Sequence, residues 1–214
     1  MSLIRFFHGC TRLDEISIYV GDMPVARQLA YGEATPHFLV RSGQTQIRIE
    51  ENGVVRQQNY VIVPKGETYT LLILCRDGFP EMLAVAEDGR LLDQMQSGIR
   101  VASFTESEGQ LDLWRRFEET EELLFSQIIQ GDVSEYVQLI PGEQRWEVRE
   151  DAATISMLPG QNVEAGQLYT VYLIGRNEPE EEDRPLAMIM LPDAAAEGMN
   201  REAGSETVPY QPEN

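Results

Sequence analysis

His8, Cys10, His37 and Cys75 are the only imidazoles and thiols in the chain, so nucleophilic or imidazole chemistry would have to be built from them. A cysteine nucleophile needs a base close enough to hold it as thiolate, and His8 with Cys10 is the one pair adjacent in sequence. Two residues apart on an extended strand, side chains share a face but stand about 7 Å from each other. That is too far for a direct hydrogen bond unless the chain turns between them. No serine lies in a GxSxG setting, and no CxxC or Cys/His spacing suggests zinc. Each histidine is therefore expected to pack or hydrogen-bond at a strand end. No catalytic, cofactor-binding or metal-ligating residue is assigned.

Carboxylates are the other candidates. Glu118-Glu119-Thr120-Glu121-Glu122 and Glu178-Pro179-Glu180-Glu181-Glu182-Asp183 could attract calcium. Calcium loops, however, space their oxygen ligands and interpose Gly, Asn or Asp so that the chain wraps the ion. Consecutive glutamates repel and extend, so a solvated loop is expected at each run. Among the aromatics, Tyr19 and Trp114 share one position of a repeat, as do Tyr69 and Tyr169, which points to structural roles. Burial on a strand face is expected for Phe38, Tyr60 and Trp146. Tyr31, opposite Gln130, is the marginal binding candidate.

The elements that must position these residues are legible as a tandem repeat. Ile4-Arg5-Phe6-Phe7 matches Ile99-Arg100-Val101-Ala102 at an offset of 95, and Ile16-Ser17-Ile18-Tyr19 matches Leu111-Asp112-Leu113-Trp114 at the same offset. The offset becomes 99 at Gly32/Gly131 and Gly43/Gly142. It becomes 100 where Gly66-Glu67-Thr68-Tyr69-Thr70 meets Gly166-Gln167-Leu168-Tyr169-Thr170, and both copies run on to an arginine, Arg76 and Arg176. Each jump falls between strand-like runs, where surface loops tolerate insertions.

The runs themselves are β: Val61–Val63, Tyr69–Cys75 and Tyr169–Ile174 are short, β-branched or aromatic, and bounded by Gly, Pro and charge. Gln46-Ile47-Arg48-Ile49 alternates, and Asn52-Gly53 supplies the two positive-φ positions of a type I′ hairpin before Val54-Val55. Arg116–Ile129 has helical propensity, but its counterpart Gly21–Leu29 is short and broken by proline. An acidic loop at Glu118–Glu122 followed by a strand at Leu123–Ile129 is expected. Residues 3–92 and 99–194 then form two β-sandwich repeats joined by a linker at 88–98. Residues 195–214 read as an acidic disordered tail.

Composition bounds the function. The formal charge is −19, and Lys65 is the only lysine in 214 residues, which disfavours nucleic acid and anionic lipid as partners. The charge is uneven, −3 over residues 1–98 and −16 over 99–214. Two cysteines do not make a disulfide framework, and whether they meet is open. No window approaches 18 apolar residues, so no membrane span is expected. The N-terminus lacks an apolar signal region, so the chain as given reads as cytoplasmic.

The order of strand, His8-Gly9, Ile16-Ser17-Ile18-Tyr19-Val20, Ala30-Tyr31-Gly32, Gly43 and Gly66-Glu67-Thr68-Tyr69-Thr70 resembles the bacterial domain of unknown function family 4397. The second copy matches at Leu111–Trp114, Gly131, Pro141-Gly142 and Gly166–Thr170. The resemblance implies an immunoglobulin-like β-sandwich, often in tandem, and a role at the bacterial envelope, surface or spore with no known reaction. The family's Ser-Pro-Asp-Ala-Pro stretch is replaced here by Gly9–Asp14 and by Phe104–Gly109, with Ser103 in place of the histidine. The leading expectation is a non-enzymatic, all-β module that is structural or binds a protein or glycan partner, without a cofactor. The alternatives are a hydrolase-like site in the cleft between the repeats, lined by carboxylates of raised pKa, and calcium-dependent adhesion.

Overall fold

The computed structural model describes residues 1–76, 79–88, 96–106, 109–179 and 184–194. Eight strands form the first half: β1 (Ser2–His8), β2 (Ile16–Val20), β3 (Met23–Leu29), β4 (Phe38–Val40), β5 (Gly43–Glu51), β6 (Val54–Val63), β7 (Thr68–Arg76) and β8 (Phe79–Ala86). Eight more form the second: β9 (Ser97–Thr105), β10 (Leu111–Phe117), β11 (Thr120–Ile128), β12 (Val137–Leu139), β13 (Gly142–Glu150), β14 (Ala153–Val163), β15 (Leu168–Gly175) and β16 (Ala187–Pro192). Among the described residues there is no helix, and so none long and apolar enough to cross a membrane.

The first half pairs its strands in the orders β4-β1-β7-β8 and β3-β2-β5-β6, and the second repeats them as β12-β9-β15-β16 and β11-β10-β13-β14. The fold is two tandem all-β sandwiches. In each, the first strand runs parallel to the seventh, Leu3 facing Thr68 and Ile99 facing Tyr169, while the other pairings are antiparallel. Even an irregularity recurs. Gln28 and Gln127 both adopt positive φ where β3 and β11 slip register against β2 and β10. The Asn52-Gly53 hairpin takes φ of 51° and 77°, the left-handed pair its sequence called for.

Each sandwich has its own core. Ile16, Ile18, Ile47 and Ile49 of one sheet meet Ile4, Phe6, Leu71 and Ile73 of the other in the first half. In the second half Leu111, Leu113, Trp146 and Val148 meet Ile99, Val101, Val171 and Leu173. A third cluster lies between the halves, formed by Phe7, Leu72 and Val85 against Ala102, Phe104, Tyr172 and Ile174. The β1 and β9 sheets thus stack face to face as the inner layers of four. That is why every residue of β1, β9 and β15 is buried: a sheet covered on both faces loses the in–out alternation of a half-exposed one.

Two expectations need correction. Glu118–Glu122 is not a loop: only Glu118 and Glu119 turn, with φ of 53° at Glu118, and Glu121 and Glu122 belong to β11. The reason is cross-strand pairing, since Arg115 and Arg116 of β10 lie opposite Glu122 and Glu121 and form ion pairs with them. Tyr60 is 64% exposed on the outer face of β6, where its hydroxyl accepts from Gln46 Nε2 at 3.2 Å. Strand-face burial does not account for it. The expected linker lies mostly, and the expected tail wholly, outside the described residues, as does most of the Glu178–Asp183 run.

Cys10 and Cys75 are joined by a disulfide with Cα atoms 4.6 Å apart, which closes a loop between positions 65 apart in sequence. It ties the segment after β1 to the end of β7. The second half has no counterpart: Thr105 and Gly175 stand at the equivalent positions, and Gly175 takes φ of 86° against the Pro185 carbonyl, where a side chain would collide.

Candidate functional site

The face between the sandwiches is built from residues that the repeat doubles. Arg5 and Arg100 sit in the middle of apolar strands β1 and β9, pointing at the opposite half. Each donates from Nε to the threonine beside it on the parallel neighbour, Arg5 to Thr70 at 2.7 Å and Arg100 to Thr170 at 2.9 Å. Each threonine hydroxyl donates in turn to a carboxylate, Thr70 to Glu87 at 2.5 Å and Thr170 to Asp193 at 2.8 Å. Each carboxylate also holds a ring from its own half. His37 meets Glu87 at 3.0 Å, and the Tyr136 hydroxyl donates to Asp193.

The two sets then exchange bonds. Arg5 Nη1 donates to the Pro192 carbonyl and Arg100 Nη2 to the Ala86 carbonyl, both at 2.6 Å. Arg5 reaches Asp193 at 3.5 Å, and the Ala194 amide donates to Glu87 at 2.7 Å. The side chains of Glu87 and Asp193 are wholly buried, so each charge must be met within the protein. The pair is not electrostatically equal. Burial alone would raise Glu87, but the His37 hydrogen bond, the Arg5 charge and Thr70 outweigh it and hold the carboxyl at about 2. Asp193 is raised by burial and by the Glu87 charge, against Tyr136, Arg100 and Thr170.

Beyond this lock the inner sheets end in two corners related by the same repeat. One is filled. Tyr31 packs beside Ala187 and Ile189 in the inter-half cluster, with the Arg184 guanidinium 5.6 Å from its ring centre and Arg184 Nη2 2.6 Å from Asp14 Oδ1. At the other, Tyr31's counterpart is Gln130, which leaves a groove of about 1040 Å³. Leu74, Leu83 and Phe104 form its apolar lining, and Arg12, Arg76 and Arg176 supply three guanidiniums. Among the described residues its two carboxylates are engaged: Glu106 accepts from Thr11 at 2.6 Å, and Glu81 lies 3.4 Å from Arg76. The disulfide borders the same groove through Cys75.

The residues considered for chemistry on sequence grounds are scattered. His8 is fully buried, donates from Nε2 to the Asp14 carbonyl at 3.0 Å and accepts the Cys10 amide at Nδ1, 3.3 Å away. Burial holds its pKa below the ordinary value. With Cys10 tied to Cys75, no thiol is available to a His8–Cys10 dyad. Tyr31 packs against the inter-half cluster and plugs a corner. Glu121 is paired with Arg116 and Arg149. Among the described residues, no group of three or more His, Cys, Asp and Glu side chains is placed to hold a metal ion.

What sequence reading passed over is the lock. Its signal was present: an arginine inside an apolar strand, repeated at an offset of 95, beside a threonine repeated at 100. A charge repeated within a buried strand needs a repeated partner.

Among solved structures, the chain is similar to a provisionally assigned cell adhesion protein of Bacteroides ovatus, with 9% identity and a TM-score of 0.28 over 90% of this chain and 97% of that one. It is also similar to a leucine-rich repeat protein of Bacteroides thetaiotaomicron, with 9% identity and a TM-score of 0.22 over 78% of this chain and 25% of that one. A provisionally assigned cell adhesion protein of Bacteroides fragilis gives 9% identity and a TM-score of 0.21 over 84% and 83%. These likenesses carry no argument about role. No curated protein matches. The family model of the domain of unknown function DUF4397 matches residues 2–114, more than half of the chain, and the chain belongs to that family.

Proposed function

We propose that this protein is an exported, non-catalytic binding module of the bacterial envelope or spore surface, made by duplication of one DUF4397 sandwich, and that its partner enters the open corner. The observation that carries this reading is the contrast between the corners. Among the described residues the middle of the face is packed and cross-bonded between the halves, while one end keeps a groove of about 1040 Å³ with exposed apolar and cationic lining. Protein surfaces of that kind mark binding sites. The disulfide supports export, since such bridges persist in oxidising compartments.

The test places a photo-crosslinking side chain at Leu83 and, as control, at Met157, both exposed. Intact cells or spores of the source bacterium displaying the protein should give a discrete adduct from position 83 and none from 157. Equal labelling from both positions, or a protein reached by membrane-impermeant reagent only after lysis, would defeat the reading. A hydrolase site remains the second reading, because the groove lies where such an enzyme would hold substrate. It requires turnover that Glu106→Gln or Glu81→Gln abolishes.

A further inference from the structure

We infer that the free edge of β6 pairs with β6 of a second copy of this chain, antiparallel about a two-fold axis at Tyr60, in a contact separate from the groove. β6 is the last strand of its sheet, and among the described residues no main-chain bond from another element reaches its far side. The ladder shows where its donors point. The Gln46 carbonyl accepts from the Gly21 amide, on the β2 side of β5, so the main-chain groups of Gln46 face away from β6. Tyr60, paired with Gln46, must then aim its own N–H and C=O away from β5, at the free edge. The register runs without a shift from Gln57 to Val63, so Gln58 and Ile62 do the same by alternation.

A row of unpaired donors and acceptors is a template for another strand, and proteins guard such rows with charge, proline or a bulge. β6 has none of these from Gln57 to Val63, in a chain of which 25% of residues are charged. Arg56, the one charge on the strand, is held by Glu51 at 2.6 Å. β14, the matching edge of the second half, is guarded. Pro159 and Gly160 stand there in the places of Asn59 and Tyr60, and the ladder slips register beside them.

The occupant is a second copy because this edge complements itself. Turned about Tyr60, the strand lays Gln58 opposite Ile62 of the other copy, and every free-edge donor between them meets an acceptor. Tyr60, 64% exposed, then lies beside its mate, and Ile62, 81% exposed, reaches that ring diagonally. Charge favours the same place. The formal charge is −3 over residues 1–98 and −16 over 99–214, so two copies meet least repulsion at an uncharged edge of the first half. The product is a closed dimer whose outer sheet runs β3-β2-β5-β6 through the axis into the same strands of the other copy.

The experiment uses the full chain with its disulfide intact, followed by sedimentation velocity over a wide range of concentration. A monomer–dimer equilibrium is expected, strengthened by salt, which screens the net negative charge of both copies. Tyr60→Lys sets two lysines opposite each other at the axis and should weaken the dimer roughly tenfold or more. Gln58→Pro removes a free-edge N–H without touching the β5 ladder and should weaken it to a similar degree. Met157→Lys, at an exposed side chain of β14, should associate as the parent does. Circular dichroism checks that each variant is folded. Tyr60→Cys should form a disulfide between copies under mild oxidation, since paired positions of adjoining strands lie within disulfide reach.

A chain that stays monomeric at every concentration would overturn the inference. So would a dimer that Tyr60→Lys abolishes and Gln58→Pro spares, which would mean sheet faces stacking rather than edges pairing. Open-ended growth in place of a dimer, or association that salt weakens, would exclude the closed two-fold pairing as well.

Discussion

The two corners of the inter-half face lie at matching positions of the two halves and differ by a few side chains. At one, Tyr31 and Arg184 close over β16; at the other, Gln130 and Gly131 leave β8 bare. Between them lies a lock that has kept its plan almost unchanged, arginine to threonine to carboxylate to ring, in both halves. The lesson is a division of labour between matching halves. The middle of the face must stay self-complementary or the halves separate. Each end is free to drift once the other provides sufficient contact.

Breaking the lock should have the largest effect. Glu87→Ala strands Arg5 and the Ala194 amide in a dry interface, and a loss of roughly 3–5 kcal/mol in urea unfolding is expected for a buried ionic partner removed alone. A smaller loss for Glu87→Ala than for a surface pair such as Arg48–Glu50 would show the lock to be inert.

The same carboxylate sets an acid limb. Its folded pKa of about 2 is below the unfolded value near 4.5, so its contribution is complete above about pH 4.5 and is lost as pH falls toward 2. About 3 kcal/mol should disappear over that window, and Glu87→Gln should flatten it. Asp193 has the opposite sign: held high by burial and by Glu87, it favours the folded state when protonated. Asp193→Asn is therefore expected to cost clearly less than Glu87→Gln. Equal costs would erase the asymmetry between the two sets.

Removing the disulfide with Cys10→Ser and Cys75→Ser should lower stability by roughly 2–4 kcal/mol through the longer free loop of the unfolded chain. Hydrogen exchange should localise the change to the first half, since the second has no bridge. The smallest effects belong to the corners. Tyr31→Gln should cost about 2 kcal/mol by emptying a filled corner. Gln130→Tyr should leave stability within ~0.5 kcal/mol of the parent while occluding the groove. If Gln130→Tyr leaves groove crosslinking at Leu83 untouched, the corners are not equivalent in the way described.

Much of this fold was legible because turns and strand cores repeat. Asn52-Gly53 could only be a tight hairpin, and Gly32/Gly131 and Gly66/Gly166 marked the same loops twice. The Glu118–Glu122 run was misread because local repulsion was weighed without the arginines across the strand, which are close only once β10 and β11 pair. The groove was anticipated only as a cleft between repeats. Its lining comes from β7, β8, β9 and the segments after β1, β9, β11 and β15, and no local pattern announces that those seven meet. Tyr31 opposite Gln130 was visible as a mismatch, yet its meaning depends on what packs against it: a plug at one end and an opening at the other.

The bridge between Cys10 and Cys75 also sets how the chain would answer a pull on its two ends. Tension along the chain would bypass everything between those residues, so that segment could not pay out as slack. At ~3.4 Å per extended residue, the 65 positions between them withhold roughly 220 Å of length that the unbridged half would release. Under such a pull the first half would yield little length, and the second would be the part that gives.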